Sequence, residues 1–392
     1  MPPSAELGVL VKTLEIQAAE PYSSPDTANL PQHEPRQVVL SWAADQQGQV
    51  LVQLGASKGR LLKITPLSSL GLTVAVLEFD TQAQADLGLS DFLSATPTIT
   101  SAKLTLAYNM QAGAATPALP ALGARQYALG ILKAINKSKL ASPIVVGMVD
   151  TEIAAPDLLS TASIKTRRLF ADTDKPATTE HGSAVAAILA SKSTETGFHG
   201  LAQGVHLRAA GVMREVAPGV NATNTLMVVQ AIDWLVSENA QVINLSLGSA
   251  YDAVMASVVS KAVSAGVVLV AAAGNGGSAA APSYPAAYPG VIAVTAIDAN
   301  KQLYTRANRG DYISIAAPGV DVWVPVGKGR YMSGTSFAAP FVAAAIAQKM
   351  AQSPKVKNVQ TASNLLKTLC SNALALSARN PSPEFGCGLM QF

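Results

Sequence analysis

Three residues of the chain carry the side chains that serine-based acyl transfer requires: Asp150, His181 and Ser336. A serine hydroxyl becomes a strong nucleophile when an imidazole removes its proton and a carboxylate holds that imidazole in place. Asp150 ends the apolar run 145–149, small residues follow His181, and Ser336 precedes the apolar stretch 341–350. Functional side chains of α/β sheets stand at such junctions, beyond the carboxyl ends of strands. We therefore predict that the three residues meet in one nucleophilic site.

Each of these residues also has a purely structural interpretation. An Asp after a strand often forms a turn, and a Ser at a helix start is often a cap. A lone His is usually structural, and the chain has three other histidines. His33 lies in a polar, proline-bearing stretch, and His199 and His206 flank a glycine-containing turn. The small residues that open a helix directly after His181 make it the stronger candidate for the base.

Asn275 is the candidate donor for the oxyanion that acyl transfer creates. It follows the strand-like run 267–273, where its amide could donate to a developing negative charge. Asn-Gly is also a turn signal, so a structural role remains the alternative. The start of the helix at Ser336 would add backbone N–H groups and a positive dipole end, and Gly334 permits a close backbone approach.

These motifs resemble those of the subtilisin-like (subtilase) family of serine proteases, whose established triad order is Asp, His, Ser. Gly334-Thr-Ser-Phe-Ala-Ala-Pro resembles the nucleophile motif, and His181-Gly-Ser-Ala-Val-Ala resembles the histidine motif. The resemblance covers about residues 120–392. It implies a serine endopeptidase that cleaves protein or peptide substrates through an acyl-enzyme, with the three residues above as its triad.

The resemblance also implies which residues bind the substrate. Ala273-Gly-Asn-Gly is similar to the family's oxyanion loop, and Ile243-Asn-Leu-Ser-Leu-Gly is similar to the strand that lines the cleft. Residues 284–290 and 316–319 look like further landmarks of the family. The expected oxyanion donor is Asn275, and the expected substrate-binding residues are Ser246, Leu247, Gly248, Ala273 and Gly274.

Three positions depart from the family pattern. The family's Asp-Ser/Thr-Gly becomes Asp150-Thr-Glu152, which loses a turn glycine and adds a carboxylate; Ser183 replaces a threonine, and Ala184 replaces a second histidine. None of these changes removes a catalytic group. Two alternatives stay open: a catalytically silent binding scaffold, which Glu152 favours, and an enzyme that passes the acyl group to an amine.

The pattern of elements predicts an α/β fold, with a doubly wound, mostly parallel, subtilisin-like sheet after a small α+β, ferredoxin-like module. In that module we predict strands at 38–42, 49–54, 72–79 and 98–108, and helices at 57–64 and 81–93. The predicted organisation is a flexible lead-in (1–36), the module (37–110), a linker (111–122) and the catalytic domain (123–392).

The module resembles the family's inhibitory, chaperone-like propeptide in position and size. This implies a zymogen whose own N-terminal domain acts as an intramolecular inhibitor. Its last strand, residues 103–108, would lie in the cleft beside residues 246–248. Self-cleavage near residues 108–110 is the accompanying hypothesis. The alternative is an unrelated binding module.

Composition limits the other classes of function. Hydrophobic residues make up 49% of the chain and charged residues 14%, with a net charge of +3. No basic cluster is long enough to predict nucleic-acid binding, and no apolar stretch reaches the roughly 20 residues of a membrane span. No signal-peptide pattern is visible at the N-terminus. Cys370 and Cys387 fit either one disulfide or two buried thiols; a disulfide, with family habit, indicates a secreted or periplasmic protein.

No cofactor is needed for the predicted chemistry. The resemblance makes structural calcium an open question, because many subtilases hold it in an asparagine-rich loop after the histidine helix. The matching residues 191–197 lack those asparagines and include Lys192. We therefore predict no specific metal site.

Overall fold

The computed structural model describes residues 31–95, 99–108, 127–133, 140, 142, 144–154, 156–192, 194, 197–218, 220–352 and 361–392. Their strands are β1 (His33–Ala43), β2 (Arg60–Leu67), β3 (Leu72–Glu78), β4 (Thr100–Tyr108), β5 (Val145–Asp150), β6 (Ser163–Arg168), β7 (His206–Gly211), β8 (Arg214–Ala217), β9 (Val220–Asn224), β10 (Val242–Leu245), β11 (Gly248–Ser249), β12 (Val268–Ala272), β13 (Ile292–Ile297), β14 (Ile313–Pro318), β15 (Val322–Val324) and β16 (Arg330–Met332). Their helices are α1 (Gln47–Ala56), α2 (Gln82–Ala95), α3 (Tyr127–Ile131), α4 (Glu180–Ala190), α5 (Thr225–Ser237), α6 (Ala253–Ser264), α7 (Thr335–Gln352) and α8 (Thr361–Ser371).

The N-terminal unit, β1 to β4 with α1 and α2, has the strand–helix–strand–strand–helix–strand order of ferredoxin-like folds. Its antiparallel strands lie in the order β2-β3-β1-β4. β1 alternates between two faces: Val38 and Leu40 contact the core that includes residues of α1 and α2, whereas Val39 contacts a different cluster. The unit therefore has an apolar layer on each side of its sheet.

Two elements of this unit differ from the sequence prediction. Residues 49–54, predicted as a strand, lie in α1, and most of the predicted helix 57–64 lies in β2. The reason is that residues four apart lie on the same side of both a helix and a strand. Val50 and Leu54 are both buried and fit either element. Val52, which a strand would place on the same side as these two, is 75% exposed, as a helix requires. The predicted lead-in also ends too late, because β1 begins at His33. Residues 1–30 and the predicted linker 111–122 lie outside the described residues.

The central sheet is parallel and has the order β14-β13-β12-β10-β5-β7-β6. Its strands are apolar on both faces: Val268 and Val270 pack in the cluster that contains α4 and α7, whereas Leu269 and Ala271 pack with α5 and α6. Helices thus cover both faces, which is the doubly wound α/β arrangement that the sequence predicted. This arrangement directs the carboxyl ends of its strands toward one edge.

A second sheet joins the N-terminal unit to the rest of the chain. The last residues of β4 pair with β9 on one side and β11 on the other, both antiparallel. Behind this sheet, apolar residues of β1 and β3 share one cluster with α5 and α6. The two parts of the chain therefore have common hydrogen bonding and a common apolar core.

Cys370 of α8 and Cys387 form a disulfide, with Cα atoms 5.5 Å apart. The bridged interpretation of the two cysteines is therefore confirmed, and it fixes α8 to the segment beside β14, where Cys387 N–H donates to the Ser314 carbonyl. Among the described residues, no helix is both long and apolar enough to span a membrane.

Candidate active site

Asp150 and His181 form a buried hydrogen-bonded pair. Asp150 is the last residue of β5, and His181 lies in the first turn of α4, where Glu180 suits the positive end of the helix dipole. His181 Nδ1 donates to Asp150 Oδ1 over 2.6 Å, and Thr151 N–H donates to the same oxygen over 2.7 Å. Within the described residues, His181 Nε2 is buried and has no hydrogen-bond partner. This arrangement leaves Nε2 as the nitrogen that could accept a proton.

Ser336 lies in the first turn of α7, next to Phe337, whose ring centroid is 5.1 Å from that of His181. Ser336 Oγ donates to the Ser246 carbonyl over 3.4 Å, and Ser246 Oγ donates to the Ser336 carbonyl over 2.9 Å. Gly334 has a φ of +147°, in the region that favours glycine. Asp150 and His181 are thus in direct contact, and Ser336 is linked to this pair through its neighbour Phe337, whose ring lies against that of His181.

Asn275 is held by Thr335, a residue that the sequence analysis did not single out. Asn275 Oδ1 accepts from Thr335 N–H at 3.0 Å and from Thr335 Oγ at 2.9 Å. Thr335 Oγ in turn accepts from Gly274 N–H at 3.1 Å. A Cβ on Gly334 would lie 3.1 Å from Asn275 Nδ2, so the amide nitrogen faces the chain just before the serine. The sequence shows a threonine between Gly334 and Ser336, but it does not show which groups the hydroxyl of Thr335 contacts.

The end of β4 lies beside Gly248, one of the residues where we predicted it, and its pairing extends to Ser249. Tyr108 pairs with Gly248, and Ala107 pairs with Ser249. The opposite wall, β9, was not predicted: Leu106, Ala107 and Tyr108 pair with Asn224, Thr223 and Ala222. The strand thus lies between two walls of the cleft, as a peptide bound by β-augmentation would.

Of the predicted substrate-binding residues, Gly248 pairs directly with the end of β4. Leu247 and Ala273 are buried, and Leu247 packs in the α5–α6 cluster. Ser283, which we did not predict, lies between two of the predicted glycines: a Cβ on Gly248 would be 2.5 Å from Ser283 Oγ, and one on Gly274 would be 3.0 Å from Ser283 Cβ. Glycine at both positions is therefore needed for close packing around Ser283.

Ala273 is fixed by a protonated phenol. Tyr312 Oη donates to the Ala273 carbonyl over 2.7 Å, and burial raises the pKa of Tyr312. The phenol therefore stays neutral and able to donate at physiological pH. This contact orients the strand end that leads to Gly274 and Asn275.

Across the described part of the chain, no three His, Cys, Asp or Glu side chains are grouped closely enough to hold a metal ion. Lys192 lies just after α4, and its positive charge does not suit a cation site. No step of the chemistry is assigned to a metal.

Comparison with known proteins agrees with this geometry. The sequence profile described as the Subtilase family matches residues 141–388, more than half of the chain. The chain belongs to the subtilase family. The minor extracellular protease Epr of Bacillus subtilis is 31% identical over 252 residues, which are 64% of this subtilase and 38% of Epr. Subtilisin E of the same species is 36% identical over 194 residues, 48% of this chain and 50% of that protein.

The chain thus spans half or less of the length of these two relatives. It spans more of subtilisin DY from Bacillus licheniformis, with 34% identity over 235 residues, 57% of this chain and 83% of that one. Among solved structures, fervidolysin from Fervidobacterium pennivorans shares the fold, with a TM-score of 0.72, 22% identity and coverage of 92% of this chain and 60% of that one. The protease domain of PatA, solved as a serine-to-alanine mutant, gives a TM-score of 0.56 at 25% identity, covering 65% and 94%.

Proposed function

We propose that this subtilase is a serine endopeptidase in which Asp150, His181 and Ser336 are the triad and Asn275 is the oxyanion donor. The observation that carries the proposal is the buried 2.6 Å hydrogen bond from His181 Nδ1 to Asp150, which leaves the other ring nitrogen without a partner among the described residues. That tautomer is the one a general base needs. Sequence membership of a family of serine peptidases supports the same assignment.

The proposed reaction follows from these positions. Nε2 of His181 takes the Ser336 proton as Oγ attacks the scissile carbonyl, and Asp150 stabilises the imidazolium that forms. The carbonyl oxygen becomes negative and accepts hydrogen bonds from Asn275 Nδ2 and the Ser336 backbone N–H. His181 then protonates the leaving amine. Water, activated by the same imidazole, releases the acyl group.

We further propose that residues 31–108 act as an intramolecular inhibitor and that the chain is a self-processing zymogen. Support comes from β4, whose last residues pair with both cleft walls. In this antiparallel register Tyr108 pairs with Gly248, two residues from Ser246, whose carbonyl accepts from Ser336 Oγ. Residues 109–111 lie outside the described residues. The register makes the peptide bond after Met110 the proposed site of self-cleavage.

The test compares the chain with its Ser336→Ala variant by intact mass and by hydrolysis of a general protein substrate. We expect the wild type to yield a fragment beginning at Gln111 and to gain activity, while the variant stays full length. A wild type that stays intact and inactive after refolding, with and without calcium, would favour the silent-scaffold alternative. A fully active wild type that retains residues 31–108 would contradict the inhibitor proposal only.

We also propose that the protein is secreted or periplasmic. The Cys370–Cys387 disulfide supports this, because disulfides persist in oxidising compartments. One relative is itself named an extracellular protease. Thiol labelling of protein from separated cell fractions tests the proposal, and recovery of both cysteines as free thiols in the cytoplasm would contradict it.

A further inference from the structure

Glu152, the residue that departs from the family pattern beside Asp150, reaches across the sheet. In the central sheet Gly211 of β7 pairs with Asp150 of β5 on one side and with Arg168 of β6 on the other. A Cβ on Gly211 would lie 2.6 Å from Glu152 Cγ, so the side chain of Glu152 occupies the space above that glycine. Its carboxylate accepts from Arg168 Nε at 3.1 Å and from Arg168 Nη2 at 2.8 Å.

Arg168 is itself fixed in place. Its guanidinium carbon lies 5.1 Å from the centre of the Phe170 ring, and Asp172 lies 3.7 Å from Nη1. The next residue after Arg168 donates its backbone N–H to the Gly211 carbonyl over 2.9 Å. The hydrogen bonding that Arg168 donates to the Glu152 carboxylate raises the pKa of Arg168, so the guanidinium keeps its charge. A planar guanidinium with two bonds to one carboxylate defines both the distance and the direction of Glu152.

The segment that Glu152 belongs to connects the triad aspartate with the triad histidine. Thr151 Oγ accepts from Gly182 N–H at 2.8 Å, and Ala154 N–H donates to Ser183 Oγ at 2.8 Å. Gly182 and Ser183 directly follow His181 in α4. A Cβ on Gly182 would lie 2.5 Å from the Thr151 carbonyl oxygen, so the segment and the helix are in close contact. A shift of this segment would therefore move Asp150 relative to His181.

We propose that Glu152 and Arg168 are positioning residues that hold residues 151–154 and thereby set the geometry of the Asp150–His181 hydrogen bond. The inference rests on the proposed function, because it gives that hydrogen bond a catalytic role. The end of β4 in the cleft pairs with β9 and β11, and neither of those strands contains a member of the Glu152–Arg168 pair. Its loss is therefore expected to lower kcat and to leave KM nearly unchanged.

The first experiment needs no activity. In full-length Ser336→Ala protein, the proton on His181 Nδ1 lies in a short bond and is expected to resonate far downfield in proton NMR. We expect Glu152→Ala and Arg168→Met to shift or broaden this resonance. The matched control is Lys165→Met, which removes a 2.7 Å ion pair with Glu238 from the same strand, β6. We expect the control to leave the resonance unchanged.

The second experiment measures kcat and KM with a small peptide anilide after self-processing. Glu152→Ala and Arg168→Met are expected to lower kcat about 10-fold, within the range that small misplacements of catalytic groups produce. Glu152→Gln, which keeps one acceptor oxygen for Arg168, is expected to lower it about 3-fold. Arg168→Lys keeps the charge and loses the two-bond geometry, so a loss close to that of Arg168→Met supports positioning.

The outcomes separate this proposal from the proposed function. An unchanged resonance in Glu152→Ala, or an equal change in Lys165→Met, would overturn the positioning role. A fall in kcat that Lys165→Met shares would do the same. A wild type that neither processes itself nor hydrolyses substrate would instead contradict the proposed function, and the resonance in the Ser336→Ala background would still decide the role of the pair.

Discussion

Replacing Thr335 with valine should separate the orientation of Asn275 from its presence. Valine keeps the shape of threonine and removes the hydroxyl that donates to Asn275 Oδ1 at 2.9 Å. The Thr335 backbone N–H still donates to that oxygen at 3.0 Å, so the amide keeps one of its two contacts with this residue. One neutral hydrogen bond contributes about 1 kcal/mol, which corresponds to roughly 5-fold in rate. We therefore expect kcat to fall about 5-fold with KM unchanged.

The scale for comparison is Asn275→Ala, which removes the donor itself. Its expected loss is about 100- to 1,000-fold in kcat, a magnitude measured for an oxyanion donor of subtilisin, a member of this family. Thr335→Val should also leave the buried Gly274 N–H without its acceptor, at a cost of about 1–3 kcal/mol. For a domain of this size, each kcal/mol lowers Tm by roughly 2–4 °C.

The assay is steady-state kinetics on a peptide anilide, with Tm measured in the Ser336→Ala background to prevent self-digestion. Thr335→Ser keeps the hydroxyl and is the control, with kcat expected within about twofold of wild type. Full activity of Thr335→Val alongside a collapsed Asn275→Ala would refute the orienting role of the hydroxyl. Equal losses in the valine and serine variants would show that side-chain packing at this position, and not the hydroxyl, sets the rate.

Three further predictions concern stability and the N-terminal unit, all measured in the Ser336→Ala background. The Asp233 carboxylate accepts from the backbone N–H groups of Ser69 and Leu70 at 2.9 and 3.2 Å. Asp233→Ala removes this acceptor and should speed amide exchange of the N-terminal unit about 10-fold. Asp233→Asn keeps an acceptor oxygen and is the control. Replacing both cysteines, which are 17 residues apart, should lower stability by about 3 kcal/mol, seen as a lower Tm. Burial lowers the pKa of His33, so its contribution to stability is present above its ordinary pKa of about 6.5 and is lost as the pH falls through the folded value. His33→Gln should therefore flatten the fall in Tm between about pH 7 and pH 5.

Each of these has a contrary outcome. Amide exchange that is as slow in Asp233→Ala as in the unsubstituted background would exclude the carboxylate as an anchor. A Tm that does not respond to removal of the disulfide would show that the reduced segment is held equally well by its packing. An unaltered pH profile in His33→Gln would attribute acid sensitivity to other groups.

The proposed triad rests on sequence evidence that is local. His181 and Ser336 each lie within a contiguous motif at a helix start, and Asp150 ends an apolar strand, so spacing and residue type suffice. The parallel sheet was predictable for the same reason, since fully buried strands are continuous apolar runs. In α1, by contrast, Val50 and Leu54 fit both a helix and a strand, and only packing decides between them.

Contacts between distant parts of the chain could not be predicted in this way. β4 pairs with β9 across more than a hundred residues, and the register with Gly248 depends on how the whole N-terminal unit docks. The partner of Glu152 was hidden because Arg168 becomes its neighbour only when β6 and β5 flank β7. Contacts of this kind depend on the order of the strands in the sheet, and the pattern of residue types along the chain does not predict that order.

The apolar cluster shared by the N-terminal unit and helices α5 and α6 has a thermal consequence. Val39 of β1 and Val74 of β3 belong to the same cluster as Val228 and Ile232 of α5. Association through apolar surface carries a negative heat-capacity change and weakens on cooling. The N-terminal unit should therefore open more readily near 0 °C than at room temperature, so cold, like heat, should expose the cleft.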